Sequence, residues 1–150
     1  MKAVLALGAL AALFQSVFAL EGGTYTIGSA ALPADVVLMN VGPPPTPLGF
    51  DDKNIDPRQY WFFSAIDTSG RNFLIRHPSG AFINCGNEPG SPCVSGRVPE
   101  IYTVERVADN SYELISRRTG YFLRADGENL QLAEWNNNPD EQFILTRVEW

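Results

Sequence analysis

The chain has 150 residues, 45% of them hydrophobic, 11% aromatic and 19% charged, which is the length of one domain and the composition of a packed one. Eleven basic side chains against 17 acidic ones give a formal charge of −6, or 10 − 17 = −7 once Lys2 is set aside with the N-terminal segment. With Lys53 the one remaining lysine and no basic run, this balance disfavours nucleic acid and an anionic membrane surface as partners.

At the N-terminus, Met1-Lys2 precedes an apolar run from Ala3 to Phe14, and Val17-Phe18-Ala19 supplies a pattern suited to signal peptidase. The run is about 12 residues long, short of the ~20 that a spanning helix needs. Residues 1–19 are therefore expected to be a signal peptide and 20–150 a single secreted domain, with no insertion into a membrane. The chain contains no Asn-x-Ser/Thr acceptor with a non-proline middle residue, so no N-linked glycan is expected despite secretion.

Along the rest of the chain, strand-like runs alternate with clusters of Gly, Pro, Asn and Asp, and no stretch keeps a helical period. Thr24-Tyr25-Thr26-Ile27 and Val36-Val37-Leu38 read as the first two strands. An insertion containing Pro43-Pro44-Pro45 and Pro47 follows, and then Gln59-Tyr60-Trp61-Phe62-Phe63. This last segment recurs at shifts of 41 residues as Glu100-Ile101-Tyr102-Thr103-Val104 and Glu141-Gln142-Phe143-Ile144-Leu145. Trp61, Tyr102 and Phe143 become equivalent; so do Phe63, Val104 and Leu145, and Ile66, Val107 and Val148, with a proline upstream each time. At a shift of 40, Leu74-Ile75 matches Leu114-Ile115, and Gly80-Ala81-Phe82-Ile83 matches Gly120-Tyr121-Phe122-Leu123.

Four short strands per repeat also suit a propeller blade, but a propeller needs at least four blades and this chain has three units. Three units close instead as a threefold barrel capped by hairpins, which removes exposed sheet edges. The expectation is an all-β β-trefoil of twelve strands, with repeats at about 24–66, 71–107 and 111–148 and with Trp61, Tyr102 and Phe143 as symmetric core.

Cys85 and Cys93 stand eight positions apart in a Gly- and Pro-rich turn, so the two thiols can face each other across a hairpin. In an oxidising compartment they are expected to be bonded. A zinc pair or a catalytic thiol lacks partners, because His77 is the chain's one histidine. His77 itself, in Arg76-His77-Pro78-Ser79-Gly80, reads as an exposed turn residue with no nucleophile or carboxylate signature beside it. Asp51, Asp52 and Asp56 cluster around Lys53 but lack the spacing and glycine of a calcium loop. No catalytic residue, metal or cofactor is implied, and the chain is not read as an enzyme.

The Gly23-Thr24-Tyr25-Thr26-Ile27 opening, the Gln59-Tyr60-Trp61 triplet, Thr46-Pro47-Leu48-Gly49-Phe50 and the stretch from Trp135 to Phe143 resemble the ricin-B type (QxW) β-trefoil lectins, especially those of fungi. The likeness spans the chain after the leader at the level of motifs; the second and third units have Glu100-x-Tyr102 and Glu141-x-Phe143 in place of Gln-x-Trp. It implies a shallow sugar pocket in each unit, built from an Asp after the second strand, an aromatic on the next hairpin and then an Asn. An aromatic face suits the apolar side of a sugar ring, and fixed polar groups suit its hydroxyls.

Unit three matches best, with Trp135 as stacking platform, Asp126, Asn136 and Asn137 toward ring hydroxyls, and Gln142 steadying the loop from behind. Its Asp is displaced: Arg124 stands where the acid is expected, able to fill the pocket or to pair with Asp126. Unit two has Asn84 at the Asp position but nothing aromatic near Ser95-Gly96, and unit one keeps Phe50 and Asp51, a weaker site. The implied partners are glycans or glycoproteins. The competing reading is a β-trefoil inhibitor of a secreted protease, presenting the stiff Pro43–Pro47 segment to the enzyme's cleft.

Overall fold

The structure, a computed structural model, describes residues 19–149. The expected signal peptide lies outside the described residues except for Ala19.

The described residues form thirteen short strands and two single-turn 3-10 helices. Unit one holds β1 (Gly23–Ser29), β2 (Val36–Met39), β3 (Thr46–Pro47), β4 (Gly49–Asp52) and β5 (Trp61–Ala65). Unit two holds β6 (Asn72–Arg76), β7 (Phe82–Cys85), β8 (Cys93–Gly96) and β9 (Ile101–Ala108). Unit three holds β10 (Ser111–Ser116), β11 (Phe122–Asp126), β12 (Asn129–Ala133) and β13 (Phe143–Arg147). The strand beyond the expected twelve is β3. It arises because the Pro-rich insertion lies along unit two, pairing Thr46 with Ser95 and Pro47 with Val94.

The outer strands of the units close a ring of antiparallel pairs: β1 with β5, β5 with β6, β6 with β9, β9 with β10, β10 with β13, and β13 with β1. The inner strands make three hairpins, β2–β4, β7–β8 and β11–β12, which cap the barrel. These hairpins also touch one another through β4–β12 and a Pro92–Gln131 bridge. The fold is a β-trefoil.

Alternation along the strands aims one large residue per unit at the axis. Trp61, Tyr102 and Phe143 are each wholly buried, as are Phe63, Phe73, Ile27 and Leu123 around them. Two of the three central aromatics also reach back to their own cap: the Trp61 indole N–H donates to the Leu38 carbonyl (3.2 Å), and the Tyr102 hydroxyl donates to the Ile83 carbonyl (2.7 Å). Farther along the same strands, the equivalent Ile66 and Val107 are exposed, because there the barrel has opened to solvent.

Cys85 and Cys93 are bonded, tying β7 to β8 where the two residues pair. His77 is buried rather than exposed. The edge of its ring meets Trp61 at 5.1 Å between centroids; Nδ1 bonds the Ser79 hydroxyl (2.8 Å) and Nε2 the Arg58 carbonyl (3.2 Å). Burial holds the imidazole's pKa below its ordinary value, against the opposing pull of the Arg58 carbonyl and the Asp56 charge.

Candidate functional site

The three caps hold two equivalent positions each, one two residues before the central aromatic and one following the buried position of the second strand. In unit one these are Gln59 and Met39. The Gln59 amide accepts from the Asn54 N–H (3.0 Å), donates to the Asp52 carbonyl (2.7 Å) and lies 3.9 Å from the Met39 sulfur. With a buried thioether at one position and a buried amide at the other, neither of these two residues is presented to a ligand. Phe50, the alternative platform, is buried and stacked 6.5 Å from Phe143 at 12°, so it belongs to the core and cannot present a face to a sugar.

Unit two closes over itself. The Asn84 amide donates to the Val98 carbonyl (2.7 Å) and to Glu100 (3.2 Å), and its oxygen accepts from the Val98 N–H (3.2 Å). Gly96 is required for this: a Cβ there would stand 1.7 Å from the Asn84 side-chain oxygen. Glu100 is pushed up in pKa by burial, which the nearby Arg118 guanidinium and the hydrogen bonds from Tyr102 and Asn84 oppose.

Unit three is arranged differently. Trp135 is 57% exposed, yet its edge is fixed, because the indole N–H donates to the Glu113 carboxylate on β10 at 2.8 Å. The loop behind it is organised by Glu141, which is wholly buried and accepts the Asn136 N–H at 2.9 Å. Asn136 spends its amide locally, donating to Asp140 (3.0 Å) and accepting from the Asn138 N–H (2.8 Å). That turn carries the next residue, Asn137, into the left-handed region at φ 57°, with its side chain exposed. Arg124 approaches Asp140 (3.8 Å), and its Nε and one Glu141 oxygen are buried without a hydrogen-bond partner.

The expected site is thus partly assembled. Trp135, Asn136 and Asn137 share one loop, but Asp126 is not with them. The β11–β12 register puts Asp126 opposite Asn129 at the hairpin tip, whereas Trp135 lies past the Phe122–Ala133 pair at its base. Four residues of strand, about 13 Å, separate the two ends. Arg124 consequently pairs with Asp140 and not with Asp126. Gln142 is likewise displaced from its expected role. Glu141, one position earlier, holds the loop, while the Gln142 backbone carbonyl accepts from Ala30 (2.9 Å). The 41-residue alignment of Gln59, Glu100 and Glu141 already carries that signal. Glu113 and Asp140 carry no comparable one, because strand pairing and a loop turn bring them to the site.

No protein-family model and no curated protein matches the chain. Solved structures do. The chain is similar to the Macrolepiota procera ricin B-like lectin in complex with lactose, at 19% identity and a TM-score of 0.73, over 86% of this chain and 98% of that one. It is also similar to a Polyporus squamosus lectin bound to a Neu5Ac-containing epitope, at 13% identity and a TM-score of 0.74, over 85% of this chain and 50% of that one. A designed threefold-symmetric protein, ThreeFoil, matches at 14% identity and a TM-score of 0.73, over 84% of this chain and 99% of that one. These likenesses establish the β-trefoil.

Proposed function

We propose that this chain is a secreted, non-enzymatic carbohydrate-binding protein of the ricin-B type, and that glycans are its partners. The observation that carries the reading is Trp135: a large aromatic held out of the core with its edge fixed by Glu113 and its face open to solvent. Such a platform binds the C–H face of a sugar ring at little cost in side-chain entropy. The exposed Asn137, two residues along the same loop, supplies an amide for ring hydroxyls, while Asn136, Asp140 and Glu141 fix the loop. Sugar-bound lectins among the similar structures support the same class of ligand. Nothing favours the protease-inhibitor reading: the Pro-rich segment is strapped to β8, with the Thr46 N–H donating to the Ser95 hydroxyl at 3.2 Å.

The test is a glycan array including lactose and sialyl-lactosamine, followed by titration of the best ligand into wild type and Trp135→Ala. Loss of the anchor is expected to cost roughly 2 kcal/mol, about 30-fold in affinity, with the melting temperature unchanged. Equal affinity in a folded variant rejects the site. Secretion is tested by sequencing the N-terminus of the exported protein, which is expected to begin at Leu20.

A further inference from the structure

The strand register lays four side chains in a row that runs from the barrel wall onto the first strand of the unit-two hairpin. Thr24 pairs with Phe62, Phe62 with Arg76, and Arg76 with Phe82. Phe62 is 48% exposed, and the Arg76 guanidinium carbon lies 5.5 Å from the centre of the Phe82 ring. A cleft of about 670 Å³ opens over this row, walled by Pro57 and by the turn from His77 to Gly80. The floor is rigid, since both nitrogens of the buried His77 ring are engaged.

Charge distinguishes this cleft. No Asp or Glu lines it. Arg58, Arg71, Arg106, Arg118, Arg124 and Arg147 each have a carboxylate partner, whereas Arg76, like Arg97 and Arg117, has no ion pair among the described residues. In a chain of formal charge −6, an unneutralised guanidinium beside an exposed aromatic is a local exception that attracts an anion. Paired residues on adjacent strands hold their Cβ atoms about 5 Å apart. A sugar ring laid on Phe62 therefore puts an exocyclic carboxylate within reach of the Arg76 fork, whose planar donors match a carboxylate's two oxygens.

We propose that this cleft is a second ligand site, taking a carboxylate-bearing sugar residue with its C–H face on Phe62 and its carboxylate on Arg76. It uses no residue of the Trp135 loop and takes from the reading of unit three only that the ligand is a saccharide.

The test titrates the full protein with N-acetylneuraminic acid, with its methyl ester, and with benzoate. The acid is expected to bind about tenfold or more tightly than the ester, the worth of one charge-assisted contact, and benzoate to bind more weakly than the acid. Arg76→Gln is expected to erase the acid–ester difference, Phe62→Thr to weaken both ligands, and Trp135→Ala to leave the difference intact. Amide resonance shifts on adding the acid to wild type, concentrated in Phe62, Arg76, His77, Ser79 and Gly80, give a readout that needs no variant. Equal binding of acid and ester overturns the proposal. So does a difference that survives Arg76→Gln, one that disappears with Trp135→Ala, benzoate binding as tightly as the sugar acid, or resonances of Phe62 and Arg76 that do not move.

Discussion

Units two and three start from the same hairpin and end in opposite states. In unit two a short loop brings Val98 onto Asn84, and every polar atom of that amide is consumed by its own cap. In unit three the longer loop carries Trp135 outward, and the equivalent of Asn84 is a charged residue, Arg124, that reaches across to Asp140. A shared fold therefore does not entail three shared sites. Self-satisfaction closes one position, and a pinned aromatic keeps another available.

The largest effect is expected where the units still agree. Tyr102→Ala removes a wholly buried ring and is expected to cost about 3–5 kcal/mol, read by urea unfolding. Tyr102→Phe instead gives unit two the aromatic that unit three already has, and removes the hydroxyl's hydrogen bonds to the Ile83 carbonyl and to Glu100. Leaving that carbonyl unpaired is expected to cost about 1–3 kcal/mol. A neutral result would mean that the cap and the centre of unit two are not coupled.

Removing the unit-two disulfide as Cys85→Ser with Cys93→Ser is expected to cost about 2–3 kcal/mol, the worth of a loop this short in the chain-entropy model. Thiol labelling of the wild-type protein without reductant should find no free cysteine. Gly96→Ala attacks the closure directly. The new methyl displaces Asn84, with an expected loss of about 1–3 kcal/mol and faster amide exchange at Val98, while Trp135-dependent binding is unchanged.

The parts legible in the sequence were those set by local period and repeat: the barrel strands, the central aromatics and the hairpin disulfide. Residues whose surroundings come from another segment were not. His77 sits in a turn, and only the placement of Arg58 and Trp61 against it makes it a core residue. Phe50 faces inward because β4 pairs with β2 in the register that sets it opposite Leu38. Asp126 and Arg124 share a face of β11 but lie one pleat apart, and only the hairpin register shows which of them is near the loop. The site in unit three was legible in its platform and not in its supports, since Glu113 comes from another strand of the unit.

The smallest expected effect is a pH dependence that sets the loop of unit three against that of unit one. Glu141 and Gln59 do the same work, accepting one loop N–H each, but Glu141 must do it as a buried acid. Burial raises its pKa, opposed by the Asn136 N–H and Arg124 and reinforced by Asp140. An acid whose folded pKa is raised holds its proton longer in the folded state than in the unfolded one. Stability is therefore lost as pH rises from the unfolded value through the folded one. His77 works in the opposite sense: with its folded pKa lowered, the unfolded chain takes up the proton first, so stability is lost as pH falls below about 6.5. Glu141→Gln separates the two, because it keeps the acceptor that Gln59 demonstrates and removes the titration. The variant is expected to gain stability relative to wild type as pH rises from 4 to 7, measured by parallel urea titrations, while the decline below about 6.5 due to His77 persists. Stability curves that stay parallel over that range would mean that Glu141 carries no raised pKa and that the two caps are equivalent after all.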